Sequence, residues 1–111
     1  MKIAALTLKS FEENARKIAG PGAEVSDQWW AVTERPLDLL LIFMHPAADG
    51  RAWCDDQHAI SVSAVEVAKT NLSNTVVFVG ACYGLENDEM LQALQQAGAR
   101  AIIAEIGRAH V

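Results

Sequence analysis

Leu37-Asp38-Leu39-Leu40-Leu41-Ile42-Phe43, running on into Met44-His45-Pro46, is the stretch on which the fold of this 111-residue chain turns. Six of its first seven residues are apolar, with no polar alternation. That is the pattern of a strand covered on both faces, as in the middle of a parallel sheet, and not of one with a wet side. Pro36 marks its start, and His45 arrives at its carboxyl end.

Two more apolar runs lie downstream. Thr75-Val76-Val77-Phe78-Val79 predicts a second buried strand ending at Gly80-Ala81-Cys82, and Ala99 to Ala104, with Ile102 and Ile103, predicts a third. Between them Gly84 opens a turn and Asn87 is a good N-cap. Asp88 and Glu89 put negative charge where a helix dipole favours it, Met90, Leu91, Leu94 and Ala97 share a face, and Gly98 closes the helix. Strand, helix, strand at these lengths is a βαβ unit, so the sheet is expected to be largely parallel.

Upstream, Ile3 to Leu8 reads as a short strand. Ser10-Phe11-Glu12-Glu13 has the capping-box spacing and predicts a helix to about Ala19, stopped by Gly20-Pro21-Gly22. Ala23 to Ser26 reads as another short strand, and Asp27 to Arg35 as a helix in which Trp29 and Trp30, like Trp53 later, serve packing. Ala47 to Ala59 is polar and irregular and reads as a loop, with Asp49-Gly50 as its turn signal. Ser63-Ala64-Val65-Glu66 is a second capping box opening a helix to Thr70, and Asn71 to Asn74 supplies the exit turn.

Composition narrows the function classes. A chain this long is one domain with one core, and 51% apolar with 21% charged residues is ordinary for a folded protein. The net charge of −5 and scattered Lys and Arg give no basic stripe, which excludes a nucleic-acid partner. No apolar run approaches the roughly 18 residues of a membrane span, and the N-terminal run lacks a signal-peptide cleavage site. Cys54 and Cys82 do not make a disulfide framework, which points to a reducing, cytoplasmic setting. Gly20, Gly80 and Gly84 form no phosphate-binding fingerprint. Ile106-Gly107-Arg108-Ala109-His110-Val111 reads as translated sequencing-adapter DNA. The domain is therefore taken as residues 1–105 and as part of a longer parent chain with further domains, with 106–111 a non-native tail.

In open parallel sheets the reactive crevice lies beyond the carboxyl ends of the strands, where both His45 and Cys82 stand. If their strands are neighbours, a thiol and an imidazole face each other there. The bland alternative is a small buried thiol and a plain strand terminus. His58, in the loop with Cys54, Asp55 and Asp56, competes with His45, although an exposed loop histidine is its simpler reading. This loop lacks the second ligand pair of a zinc site, so no metal is expected.

The blocks Leu39-Leu40-Leu41-Ile42-Phe43-Met44-His45 and Val76-Val77-Phe78-Val79-Gly80-Ala81-Cys82 resemble the caspase-like (clan CD) cysteine peptidases. Cys82-Tyr83-Gly84 and Ala97-Gly98-Ala99-Arg100-Ala101-Ile102-Ile103-Ala104 are most similar to CHAT domains and gingipain-like peptidases. The resemblance spans roughly residues 37 to 104. It implies a three-layer caspase-like (Rossmann-like) α/β fold with a mostly parallel central sheet, incomplete at the C-terminus, and a peptide or protein substrate with no cofactor. It also implies that Cys82 is the nucleophile, that His45 is the proton donor to the leaving amine, and that the Cys82 N–H is an oxyanion donor. The family's glycine after the histidine is Pro46 here, which has no N–H, leaving Ala47 as the substitute. Asp49, Asp55 and Asp56 would line a pocket for a basic side chain, or else are solvated loop charge. Two other readings stay open: a non-catalytic interaction or signalling module on the same fold, and a flavodoxin-like domain that binds a small ligand.

Overall fold

The computed structural model describes residues 1–80 and 88–104. The expected features at Cys82, Gly84 and Asn87, and the tail, lie outside them. Along the chain the strands are β1 (Ile3–Thr7), β2 (Glu24–Ser26), β3 (Leu39–Phe43), β4 (His45–Pro46), β5 (Ala52–Cys54), β6 (Ile60–Ser63), β7 (Val76–Val79) and β8 (Ala101–Ala104). The helices are α1 (Glu12–Ala19), α2 (Trp29–Thr33), α3 (Ala64–Ala68) and α4 (Asp88–Gln96).

Five strands form one sheet in the order β2-β1-β3-β7-β8, and every pairing in it is parallel. The apolar run that opens the sequence reading is the middle strand, bonded to β1 on one edge and β7 on the other. Its side chains alternate between the two faces, as a strand dictates. Leu40 and Ile42 join Ala4, Leu6, Val77 and Val79 against α2, α3 and α4, through Trp29, Val32, Val67, Met90 and Leu94. Leu41 points the other way and packs with Ala5, Val25 and the α1 residues Ala15 and Ala19. The molecule is thus a three-layer α/β domain. Among the described residues no helix is long and apolar enough to cross a membrane.

Three expectations need correcting. Residues 47–59 are not an irregular loop: β5 lies within them and pairs antiparallel with β4 and β6 to make a second, three-stranded sheet. The strands are too short for a readable alternation, and their stability comes from tertiary burial, with Trp53 only 1% exposed and packed on Trp29 at 6.2 Å between ring centroids. Secondly, Ser10 does not cap α1. The chain passes through a 3-10 turn at Lys9–Phe11, Phe11 takes the N-cap position, and no side chain caps the helix. The Ser10 hydroxyl has a distant partner instead, described below. Thirdly, Trp30 is 67% exposed, because the short α2 buries only Trp29 and Val32. The Ser63–Glu66 capping box forms in both halves and starts α3 directly from β6.

Leu40 is completely buried at the centre of the larger core. Leu40→Ala is expected to destabilise the domain by about 2–5 kcal/mol in denaturant unfolding followed by circular dichroism.

Candidate active site

The carboxyl-end rim of the sheet is built by β3 and β7. Their parallel register runs from Leu39 opposite Val76 to Ile42 opposite Val79, so the two strands end together. The Gly80 N–H donates to the Ile42 carbonyl at 2.7 Å, prolonging the pairing by one residue. The approach there is close: a β-carbon on Gly80 would stand 2.8 Å from the Phe43 ring.

After β3 the chain buries Met44, then turns out into the small sheet, where His45 pairs with Cys54 and Pro46 with Trp53. The hairpin between β4 and β5 is closed by Asp49. Its carboxylate accepts from the Arg51 N–H at 3.0 Å, and Gly50 adopts a φ of 75°. The Ala47 N–H donates to the Ala52 carbonyl at 2.9 Å. In this arrangement it is a ladder donor and not a free one.

The turn between β5 and β6 is organised by Asp55, whose Oδ1 accepts from the N–H groups of Gln57 (2.8 Å) and Ala59 (3.0 Å). Asp56, next along, reaches across the rim. Its carboxylate accepts from the Ser10 hydroxyl at 2.6 Å and the Ser10 N–H at 3.1 Å. These bonds, the hydroxyl first, hold the Asp56 carboxyl below its ordinary range, and the nearby His45 adds to the effect. On the other flank Arg51 Nε donates to Glu89 of α4 at 3.1 Å. The small sheet is therefore tied to the main domain on both sides of the rim.

The arrangement brings His45, His58 and Asp56 together. The two imidazoles stack, with ring centroids 5.6 Å apart and planes 26° from parallel. His45 is half-buried, while His58 and Asp56 are exposed. Asp49 and Asp55 hold turns. No cluster of three His, Cys, Asp or Glu side chains suited to a metal exists among the described residues. Cys54 is a buried thiol, 5% exposed, and burial, followed by the charges of Asp55 and Asp49, pushes its pKa up, making it a poor nucleophile. The Ser10–Asp56 contact has no signal in the sequence, since its partners are 46 residues apart and Ser10 stands in a capping-box pattern.

No family model matches the sequence. No curated protein matches it either. Among solved structures, a flavodoxin of Streptococcus pneumonia TIGR4 matches with a TM-score of 0.51 over 95% of this chain and 82% of that one, at 14% identity. The fold is flavodoxin-like. Counting only the five strands of the main sheet, their order is 2-1-3-4-5, the doubly wound order whose switch point falls between the first and third strands. At such low identity the likeness extends to the fold and no further.

The Asp56 tether has a definite pH sense. A carboxyl with a lowered folded-state pKa contributes stability that is present above its unfolded value and is lost as pH falls through the lowered one. The Ser10 amide resonance is therefore expected to titrate below the ordinary carboxylate range in wild type, and to stop doing so in Asp56→Asn. Gly80→Ala is expected to cost about 1–3 kcal/mol in chemical denaturation by pressing on the Phe43 ring.

Proposed function

We propose that the chain is a caspase-like cysteine peptidase domain whose dyad is Cys82 and His45. The observation that carries this reading is that β3 and β7, the strands leading to the two residues, are hydrogen-bonded neighbours whose ends coincide. Cys82 follows Gly80 by two residues, a chain reach of at most about 7.2 Å from that Cα. With the strands at opposite edges of the sheet, no dyad would be conceivable.

The chemistry follows acyl transfer. The thiol proton passes to His45, and the Cys82 sulfur adds to the peptide carbonyl. The tetrahedral intermediate collapses as the C–N bond breaks and the His45 proton moves to the departing amine. Water then hydrolyses the thioester. The oxyanion would rest on the Cys82 N–H, with Pro46 contributing none and Ala47 engaged in the hairpin. Removing one oxyanion donor typically costs about 10²–10³ in rate, so a slow peptidase is expected. A non-catalytic interaction module is the limiting case of that slowness.

The flavodoxin-like fold favours a second reading, a domain that binds a small ligand at the switch point between β1 and β3. Against a phosphate-bearing ligand stands Asp56. Its carboxylate already takes the Ser10 N–H and hydroxyl at the end of β1, where a phosphate would seek donors.

Alkylation by iodoacetamide at pH 7, read residue by residue by mass spectrometry, separates these readings. The dyad predicts fast labelling of Cys82, slow labelling of buried Cys54, and about a tenfold or greater loss at Cys82 in His45→Ala. Equal Cys82 rates with and without His45 would sink the peptidase reading. A rise in Tm on adding a mononucleotide would favour the ligand-binding domain.

A further inference from the structure

The neighbourhood of His45 contains a group that peptidase chemistry does not by itself require. We propose that His58 is a positioning residue, its ring stacked on that of His45 so as to hold the imidazole in one attitude at the rim. The inference rests on the Cys82–His45 reading.

A general acid–base histidine usually needs a third group to orient it, commonly a carboxylate bonded to its second nitrogen. Among the described residues the His45 ring makes no side-chain hydrogen bond, and Asp56, the nearby carboxylate, is engaged with Ser10. The ring lies against a second ring, that of His58. The separation of 5.6 Å and the tilt of 26° fall in the range of offset aromatic pairs.

His58 is also placed for this contact at some expense. Its φ is 62°, in the left-handed region that glycine enters without steric cost and other residues enter uncommonly. The flanking N–H groups of Gln57 and Ala59 are both held by Asp55 Oδ1, and the His58 N–H donates to the Asp55 carbonyl at 3.0 Å. The backbone of residue 58 is thus clamped from both sides. The turn would close equally well with glycine there, and the exposed side chain adds nothing to the core. The stack on His45 is the contact that accounts for an imidazole at this position.

The test uses the whole chain with His58→Gly, which suits the backbone, and His58→Phe, which restores a ring without an imidazole. Two readouts apply: the carbon-bound ring protons of His45 by NMR, and the iodoacetamide rate at Cys82. His58→Gly is expected to move the His45 ring protons downfield, as the neighbouring ring current disappears, and to lower the Cys82 rate about tenfold. His58→Phe is expected to restore both. A His45 spectrum unchanged in His58→Gly, or a rate that His58→Phe does not recover, overturns the proposal. His45→Ala in the same series tells the two failures apart. If it leaves the wild-type rate unchanged, the dyad has failed and the positioning role falls with it. If it lowers the rate while His58→Gly does not, only the positioning role is lost.

Discussion

The structure depends on one buried strand. β3 has hydrogen-bonded neighbours on both edges and apolar layers on both faces, so its polar backbone groups are satisfied within the sheet while Leu40, Leu41 and Ile42 are removed from water. Parallel neighbours in fixed register must end together, and the loops that leave them must open on the same side. The rim that carries His45 is therefore a consequence of the core and needs no separate device to create it.

The layers flanking that strand are unequal. Three helices and the buried Trp53 cover the face of Leu40 and Ile42, whereas among the described residues α1 alone lies on the face of Leu41, over β1 and β2. Phe78 is half-buried on that thinner side, and Ile103, opposite it on β8, is 54% exposed. Among the described residues β8 is an edge strand, and such a strand with an exposed apolar side chain presents both unpaired backbone and uncovered surface.

The small antiparallel sheet gives the rim its side chains. It leaves β3 at Met44, folds back through Trp53 onto the core, and continues without a linker into α3 through the Ser63–Glu66 box. Trp53 holds its base by burial, while Asp56–Ser10 and Arg51–Glu89 hold its two flanks by polar contacts at the surface. Exposed ion pairs of the Arg51–Glu89 kind contribute only about 0–1 kcal/mol, so burial of Trp53 carries most of the attachment and the polar contacts set orientation. His45 and His58 are brought face to face by this arrangement, from opposite ends of the hairpin that joins β4 to the turn before β6.

The sequence by itself determined the elements whose pattern is local. These include the doubly buried β3, the strands β1 and β7 as separate runs, the α4 face through Met90 and Leu94, the Ser63 cap, and the stop at Gly20 with its φ of 89°. A period of two or 3.6 residues, or a cap four residues long, is written in adjacent positions. The strand order, the three short strands around Trp53, the transfer of Ser10 from its own helix to Asp56, and the stacking of His58 on His45 were decided only by the tertiary structure. Each of these joins residues far apart in the chain or rests on burial that no short window contains. Local spacing names the residues able to react. The packing of β3 between its neighbours decides which strands lie side by side.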